Sequence, residues 1–279
     1  MKKIDIIFLL FIASLLWLAS CAQNANAPTA SPYTNPVFDA DFPDPTILHT
    51  SAGWYYGYGT QSIVDGKWQN IQVIRSKDLV HWERVGDGLP VKPVWAGQTQ
   101  NFWAPDVSEH DGKYYLYFSA ERDKTHAKCV GAATSDQPGG PFQPMADPLI
   151  CGGGFVNIDP MSFDDPKTGQ RLLYWGSGFE AIKVRELAPD RVSFQPGSEA
   201  KPLVSPDSFQ LYSNLVEGAW VVERDGYYYL FYSGDNCCGN EGDNFAPHYA
   251  VMVARSKSAT GPFETLAKAN GKSSVILEK

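Results

Sequence analysis

Four segments of this chain repeat one aromatic pattern: GWYYGYGT (53–60), GKYYLYFS (112–119), QRLLYWGS (170–177) and GYYYLFYS (226–233). Tyr55, Tyr114, Leu172 and Tyr228 align them at intervals of 59, 58 and 56 residues. After each comes a second strand-like run, which ends in an aromatic beyond a polar turn: Trp82, Phe142, Phe194 and Phe263. Aromatic and β-branched runs bounded by Gly, Asp, Ser and Pro, with no 3.6-residue period of helical length, predict an all-β chain. Repeats of this length holding several strands each fit the blades of a β-propeller, in which radial closure leaves only short edges. Four blades are visible.

An acid precedes every aromatic run: Asp44 in FPDPTI, Asp106 in FWAPDVS, Asp159 in NIDPMSF and Glu217 in LVEGAWV. The first strand of a propeller blade lines the axis, so acids at corresponding blade positions are expected to converge on one funnel. A single Asp before Pro ordinarily caps a turn, and Asp39 and Asp41 are read that way. Recurrence sets the other four apart, because burying several carboxylates together is costly and shifts their pKa values, a combination concentrated at functional sites. Pro43 and Pro45 flank Asp44 and predict a stiff, extended backbone there. Paired carboxylates among aromatics point to hydrolysis of glycosidic bonds. Trp103 and Trp220, each beside a strand-start acid, are the residues expected to stack on sugar; most other Trp and Tyr residues belong to the core.

The formal net charge of −8 comes with no basic cluster, which argues against a nucleic-acid partner. At the N-terminus, Lys2 and Lys3 precede an apolar stretch from Ile6 to Leu18 and then the box LASC. That stretch is shorter than the roughly 18 apolar residues of a spanning helix, which favours a secretory signal over a retained anchor. Residues 1–20 are read as a lipoprotein signal peptide, Cys21 as the lipid-bearing residue, 21–36 as a flexible tether and 37–279 as the propeller domain. The expected location is outside the cytoplasm, anchored to a membrane by lipid, with the protein monomeric. An exported compartment permits disulfides, and Cys129 with Cys151 is a plausible pair. Cys237 and Cys238 are adjacent and are left open between a vicinal disulfide and two thiols. Neither Cys-x-x-Cys pairs nor histidines at ligand spacing are present, so no metal site is expected.

The segments NPVFDADFPDPTIL, FWAPDVSEHDGKYYLYFSA, IDPMSFDD, LVEGAWVVERDGYYYLFYSGDNCCG and YAVMVARSKSATGPF together resemble glycoside hydrolase family 43, from about Asn35 to the C-terminus. Members are five-bladed propellers acting mainly on arabinan, arabinoxylan and xylan. The resemblance implies that Asp44 is the general base that activates water and Glu217 the general acid. It makes Asp159 the residue that orients Glu217 and, when ionised, raises its pKa. Base and acid roughly 6.5 to 9.5 Å apart imply inversion at the anomeric carbon. Asp106 falls at a motif position for substrate contact or pocket shaping. Arabinan-type substrates are favoured over a β-xylosidase activity, and a surface lipoprotein that binds glycan without cleaving it is the competing class. A purely structural propeller gives no reason for acids in the funnel.

The family's fifth blade carries a Gly-His-Asn segment whose histidine, in many members, helps hold a metal ion, often calcium. None of His49, His81, His110, His126 or His248 matches it, and His248 is expected to bond locally. No cofactor is expected for the chemistry, with structural calcium reserved for a longer relative. The domain is expected to be C-terminally incomplete, and on that account to fold poorly or turn over slowly.

Overall fold

The computed structural model describes residues 33–209, 212–236 and 248–278. Cys21, Cys237 and Cys238, with the expected signal peptide and most of the tether, lie outside them. The chain divides into Met1–Phe38 and Asp39–Lys279, and every strand named below belongs to the second unit.

Strands β1 (Thr46–His49), β2 (Tyr55–Gly59), β5 (Gln72–Ser76) and β6 (Trp82–Asp87) form the first sheet in that order, with β3 (Ser62–Val64) and β4 (Lys67–Gln69) as a side hairpin. The second is ordered β7 (Phe102–His110), β8 (Lys113–Glu121), β9 (Lys128–Ser135), β10 (Gln143–Pro144), and β11 (Ile150–Gly152) also pairs with β9. The third runs β12 (Met161–Asp164), β13 (Arg171–Trp175), β14 (Ile182–Glu186), β15 (Lys201–Val204). The fourth runs β16 (Val216–Arg224), β17 (Tyr227–Asn236), β18 (His248–Ser256), β19 (Glu264–Thr265), and β20 (Val275–Glu278) pairs with β18. Helix α1 (Leu266–Asn270) is a single short turn. Each sheet is an antiparallel meander from axis to rim, so the four expected blades are present.

Local chemistry sets the tight corners. Asp111-Gly112, Asp225-Gly226 and Asp65-Gly66 each join two strands as a two-residue turn, with φ positive at both residues (51° and 74°, 51° and 80°, 51° and 75°). Positive φ at both central positions is the type I′ hairpin, whose twist matches that of the strands it joins.

The aromatic runs are apolar at nearly every position because both faces of each blade are covered. On β8, Leu116 and Phe118 belong to a cluster shared with Tyr56, Tyr58 and Val73 of blade one, while Tyr117 belongs to a cluster with Leu173, Trp175 and Leu187 of blade three. On β13, Leu172 and Tyr174 turn instead to Val221, Leu230 and Met252 of blade four. Two-residue alternation along the strand therefore sends neighbouring side chains into different interblade cores. Tyrosine hydroxyls tie the same contacts: Tyr58 donates to the Pro138 carbonyl (2.6 Å), Tyr117 to that of Arg191 (2.7 Å) and Tyr174 to that of Ala259 (2.7 Å).

Register corrects the alignment of the repeats. Thr46 pairs with Tyr58, Asp106 with Tyr117, Met161 with Tyr174 and Trp220 with Phe231. The equivalent aromatics are thus Tyr58, Tyr117, Tyr174 and Phe231, spaced 59, 57 and 57 residues apart. Leu172 corresponds to Tyr115, one residue away from the Tyr114 that sequence similarity suggests.

Cys129 and Cys151 are disulfide-bonded and directly opposite each other on β9 and β11, with Cα atoms 4.1 Å apart. Closing a 22-residue separation stabilises the fold by about 3 kcal/mol in the chain-entropy account.

Candidate active site

The inner strands β1, β7, β12 and β16 surround an axial cavity of about 400 Å³, walled by Thr46–His49, Asp106–Glu109, Met161–Asp164 and Trp220. At the entry to each inner strand one residue has positive φ: Asp44 (50°), Ala104 (44°), Asp159 (58°) and Gly218 (63°). Each lies two residues before the register-matched set Thr46, Asp106, Met161 and Trp220, so these four are the equivalent positions. For a residue other than glycine this conformation costs on the order of 1–3 kcal/mol, and it persists only where surrounding contacts impose it. The extended backbone expected at Asp44 from its flanking prolines is therefore not what forms, because the entry turn overrides the local preference.

The four acids are consequently not equivalent. Asp44 and Asp159 share one position, Glu217 stands one residue earlier, and Asp106 stands two residues later. Blades two and four carry irregular register between Trp103 and Asp106 and between Glu217 and Trp220. Trp103, opposite Ser119, is the counterpart of Glu217, opposite Ser233.

Three of the acids come together. Burial, with the Glu217 and Asp44 carboxylates close by, holds the Asp159 carboxyl well above the ordinary range, and the Gly218 N–H works against that shift from 3.2 Å. Among these neighbours Asp159 is itself pushed toward the protonated form. The Thr60 hydroxyl donates to Asp44 Oδ2 at 2.5 Å. Glu217 receives two hydroxyls, Ser177 at Oε2 and Tyr249 at Oε1, both at 2.6 Å. Burial first, and then Glu217, raises the Tyr249 phenol, so it stays protonated and able to donate.

A sequence read for acids and aromatics passes over these hydroxyls, although each aromatic repeat ends on one: Thr60, Ser119, Ser177 and Ser233. Their pattern has a physical logic. Thr60 accepts the Ala104 N–H (2.8 Å) and Ser119 accepts the Asp159 N–H (2.9 Å), so a hydroxyl of one blade satisfies the positive-φ residue of the next. In blade three that position is Gly176, which has no hydroxyl and a φ of 134°. Gly218 N–H goes to Asp159 instead, and Ser177, one residue on, supplies its hydroxyl to Glu217.

Asp106 is buried at 5 % exposure and bonded at both oxygens. Its Oδ2 accepts the Ser162 N–H (2.8 Å) and Oγ–H (2.6 Å), and Oδ1 accepts the Thr46 hydroxyl (3.4 Å). It ties blades one, two and three together at the axis, which supports pocket shaping. Trp220, 41 % exposed, walls the axial cavity, and among the described residues no ring contact or hydrogen bond joins it to Asp44, Asp159 or Glu217. Asp41 behaves as a structural acid, accepting the Ser62 hydroxyl at 2.6 Å.

The residues described do not fit a metal site: no group of three or more His, Cys, Asp or Glu side chains is placed to hold an ion. His49 stacks on Tyr55 with ring centroids 4.3 Å apart, and His248 bonds Asp235 (2.8 Å) as well as stacking on Tyr212.

A β-propeller that clusters carboxylates where its inner strands begin defines a class of proteins suited to polar ligands near the propeller axis. Within that class the chain belongs to glycosyl hydrolases family 43, whose model matches residues 33–271. It is 29% identical over 231 residues to an extracellular endo-α-(1→5)-L-arabinanase of Bacillus subtilis, covering 79% of this chain and 66% of that protein. A further extracellular endo-α-(1→5)-L-arabinanase, from Thermotoga petrophila, is 29% identical over 256 residues, covering 79% of this chain and 50% of its own length. A β-D-galactofuranosidase of Aspergillus niger is 30% identical over 260 residues, at 88% and 70% coverage. The chain thus spans between half and about two thirds of the two arabinanases. The structure of an α-L-arabinanase from Cellvibrio cellulosa superimposes with a TM-score of 0.69 at 24% identity, covering 85% of this chain and 78% of that one, a likeness of fold.

Proposed function

We propose that this protein is an inverting glycoside hydrolase that cleaves O-glycosidic bonds of arabinose-containing plant polysaccharide. The observation that carries the reading is the position of Asp159, half-buried and within the electrostatic reach of both Asp44 and Glu217. Three carboxylates so placed cannot all hold charge at modest cost, so the cluster retains a proton near neutral pH. Asp44, oriented by Thr60, takes a proton from water as the water oxygen attacks the anomeric carbon. The bond from that carbon to the leaving oxygen breaks, and Glu217 delivers its proton to the leaving oxygen. Ser177 and Tyr249 suit that role, since a hydroxyl donates to a carboxylate and accepts from its acid form, keeping Glu217 aimed in both states. Asp159 orients the Glu217 segment through the Gly218 N–H and tunes the charge of the pair.

The arabinanases among its relatives favour arabinan or arabinoxylan over a β-xyloside. Their extracellular placement supports export of this chain, and the LASC box supports lipid on Cys21 as a membrane tether for a monomeric enzyme. Release of arabinose or arabino-oligosaccharide from arabinan by the wild-type protein, lost in both Asp44→Asn and Glu217→Gln, is the expected result. Undiminished release by either variant refutes the role given to that residue. Binding without cleavage of any arabinoside or xyloside supports a glycan-binding lipoprotein instead.

A further inference from the structure

Blade one carries a buried glutamine that the proposed chemistry does not use. Gln72 opens β5, the third strand out from the axis, and is 0 % exposed. Its side-chain nitrogen donates to two main-chain carbonyls, those of Thr60 (2.8 Å) and Asp41 (3.1 Å), and its Oε1 accepts from Arg84 Nη1 (3.2 Å). These partners leave the amide one orientation, because a carbonyl can accept only from the nitrogen and a guanidinium can donate only to the oxygen.

The two carbonyls bracket the stretch that carries Asp44. Asp41 opens it, and the Ser62 hydroxyl holds the Asp41 carboxylate at 2.6 Å. Thr60 secures its other end: the Thr60 N–H donates to the Pro43 carbonyl (3.0 Å) and the Thr60 hydroxyl to Asp44 Oδ2. Between them the Phe42 ring lies over Gly59, the residue paired with Gln72 across β2 and β5, where a Cβ would stand 3.0 Å from the ring. Residues 41–44 thus cross one end of blade one with Gln72 bonded to the main chain on both sides of the crossing. Asp44 needs such a hold. Its φ of 50° runs against the extended backbone that Pro45 favours for the residue before it, so the conformation persists only while neighbours impose it.

We propose that Gln72 is a positioning residue for the water-activating base: by joining the Thr60 and Asp41 carbonyls from within blade one, with Ser62 as its partner on Asp41, it clamps residues 41–44 so that the Asp44 carboxylate is aimed before substrate arrives. The proposal rests on the hydrolase reading above. Aim matters because a displacement of about 1 Å in a reacting group can cost about a hundredfold in rate. The clamp requires a donor and not merely bulk: without the amide, two carbonyls lose their partner and the segment is drawn toward water to regain one.

The test compares wild type with Gln72→Met, which keeps the volume, with Gln72→Glu, which also keeps an acceptor for Arg84 but sets acceptors against both carbonyls, and with Ser62→Ala, a milder loosening of the same segment. Asn70→Leu is the control, since that buried amide bonds the Leu89 carbonyl (2.7 Å) and Gln100 (2.9 Å) instead. Kinetics on α-1,5-linked arabinotriose and xylotriose are run well below the melting temperature of every variant, with deuterium exchange of residues 39–47 measured in parallel. In Gln72→Met and Gln72→Glu, kcat is expected to fall about 10–100-fold while KM changes less than about twofold, and exchange of 39–47 rises. Ser62→Ala should lose about threefold in kcat, and Asn70→Leu should melt lower yet keep kcat. Wild-type kcat in Gln72→Glu, or an equal loss in Asn70→Leu, overturns the clamp. If neither Gln72 variant folds, Ser62→Ala decides: a lowered kcat at constant KM supports the clamp and an unchanged kcat overturns it. If wild type cleaves nothing, the hydrolase reading fails by itself: faster exchange of 39–47 in Gln72→Met, or in Ser62→Ala, then still supports the clamp, and unchanged exchange overturns it.

Discussion

Replacing Asp106 separates a structural tie from a sugar contact, and the structure supplies the magnitude. The carboxylate accepts three hydrogen bonds from two other blades, of which the Ser162 N–H at 2.8 Å is fixed by backbone and has no alternative described acceptor. Asp106→Ala strips that half-buried N–H of its partner, a cost of at most about 1–3 kcal/mol, and removes hydrogen bonds to a charged group worth about 1.5–3 kcal/mol each. Relief of the buried charge offsets part of this, since burial pushes the Asp106 carboxyl up in spite of the bonds from Ser162 and Thr46. The net expectation is about 3 kcal/mol of destabilisation, a fall in Tm of about 6–12 °C for a domain of this size. Asp106→Asn keeps the shape and an acceptor for Ser162 without the charge, so it should lose less than about 1 kcal/mol. The pH dependence has a definite sign. A carboxyl whose folded pKa lies above its unfolded value binds protons better in the native state, so its contribution to stability falls as pH rises from about 4 through the folded pKa. The loss in Asp106→Asn relative to wild type should therefore be larger at low pH than at neutral pH. Urea denaturation followed by tryptophan fluorescence reads both effects. An Asp106→Ala protein that melts with wild type but loses affinity for oligosaccharide refutes the reasoning and returns Asp106 to the substrate.

Asp159→Asn should be more stable than wild type by about 1 kcal/mol or more near pH 8, where one more charge is forced into the cluster, while being far less active. The advantage should shrink as pH falls through the raised Asp159 pKa; equal stability at all pH values contradicts the crowding of charge. Thr60→Val removes the donor to Asp44 and the acceptor for Ala104, and kcat should drop about 10–100-fold, with recovery in Thr60→Ser. Steady-state kinetics with unchanged kcat in the valine variant dismiss the orienting role.

The amino-acid sequence determined the all-β class, the blade count seen here and the identity of the three convergent acids. Each rests on a signal repeated along the chain: an aromatic run every 56 to 59 residues and an acid ahead of it. The repeats also carried hydroxyls at their ends, so Thr60, Ser119 and Ser177 were visible as letters although not as partners. What only the tertiary structure decided is which acids are equivalent. The irregular register in β7 and β16 shifts Glu217 and Asp106 out of line with Asp44 and Asp159, and a shift of one or two residues re-aims a side chain on a strand whose period is two. The positive φ of Asp44, Ala104 and Asp159, which Gly218 shares, is likewise imposed by neighbouring blades, and in those three it runs against the preference that the following proline sets. Most of all, the direction of the Asp159 shift follows from burial and the proximity of residues 58 and 115 positions away in the chain, which no local pattern encodes.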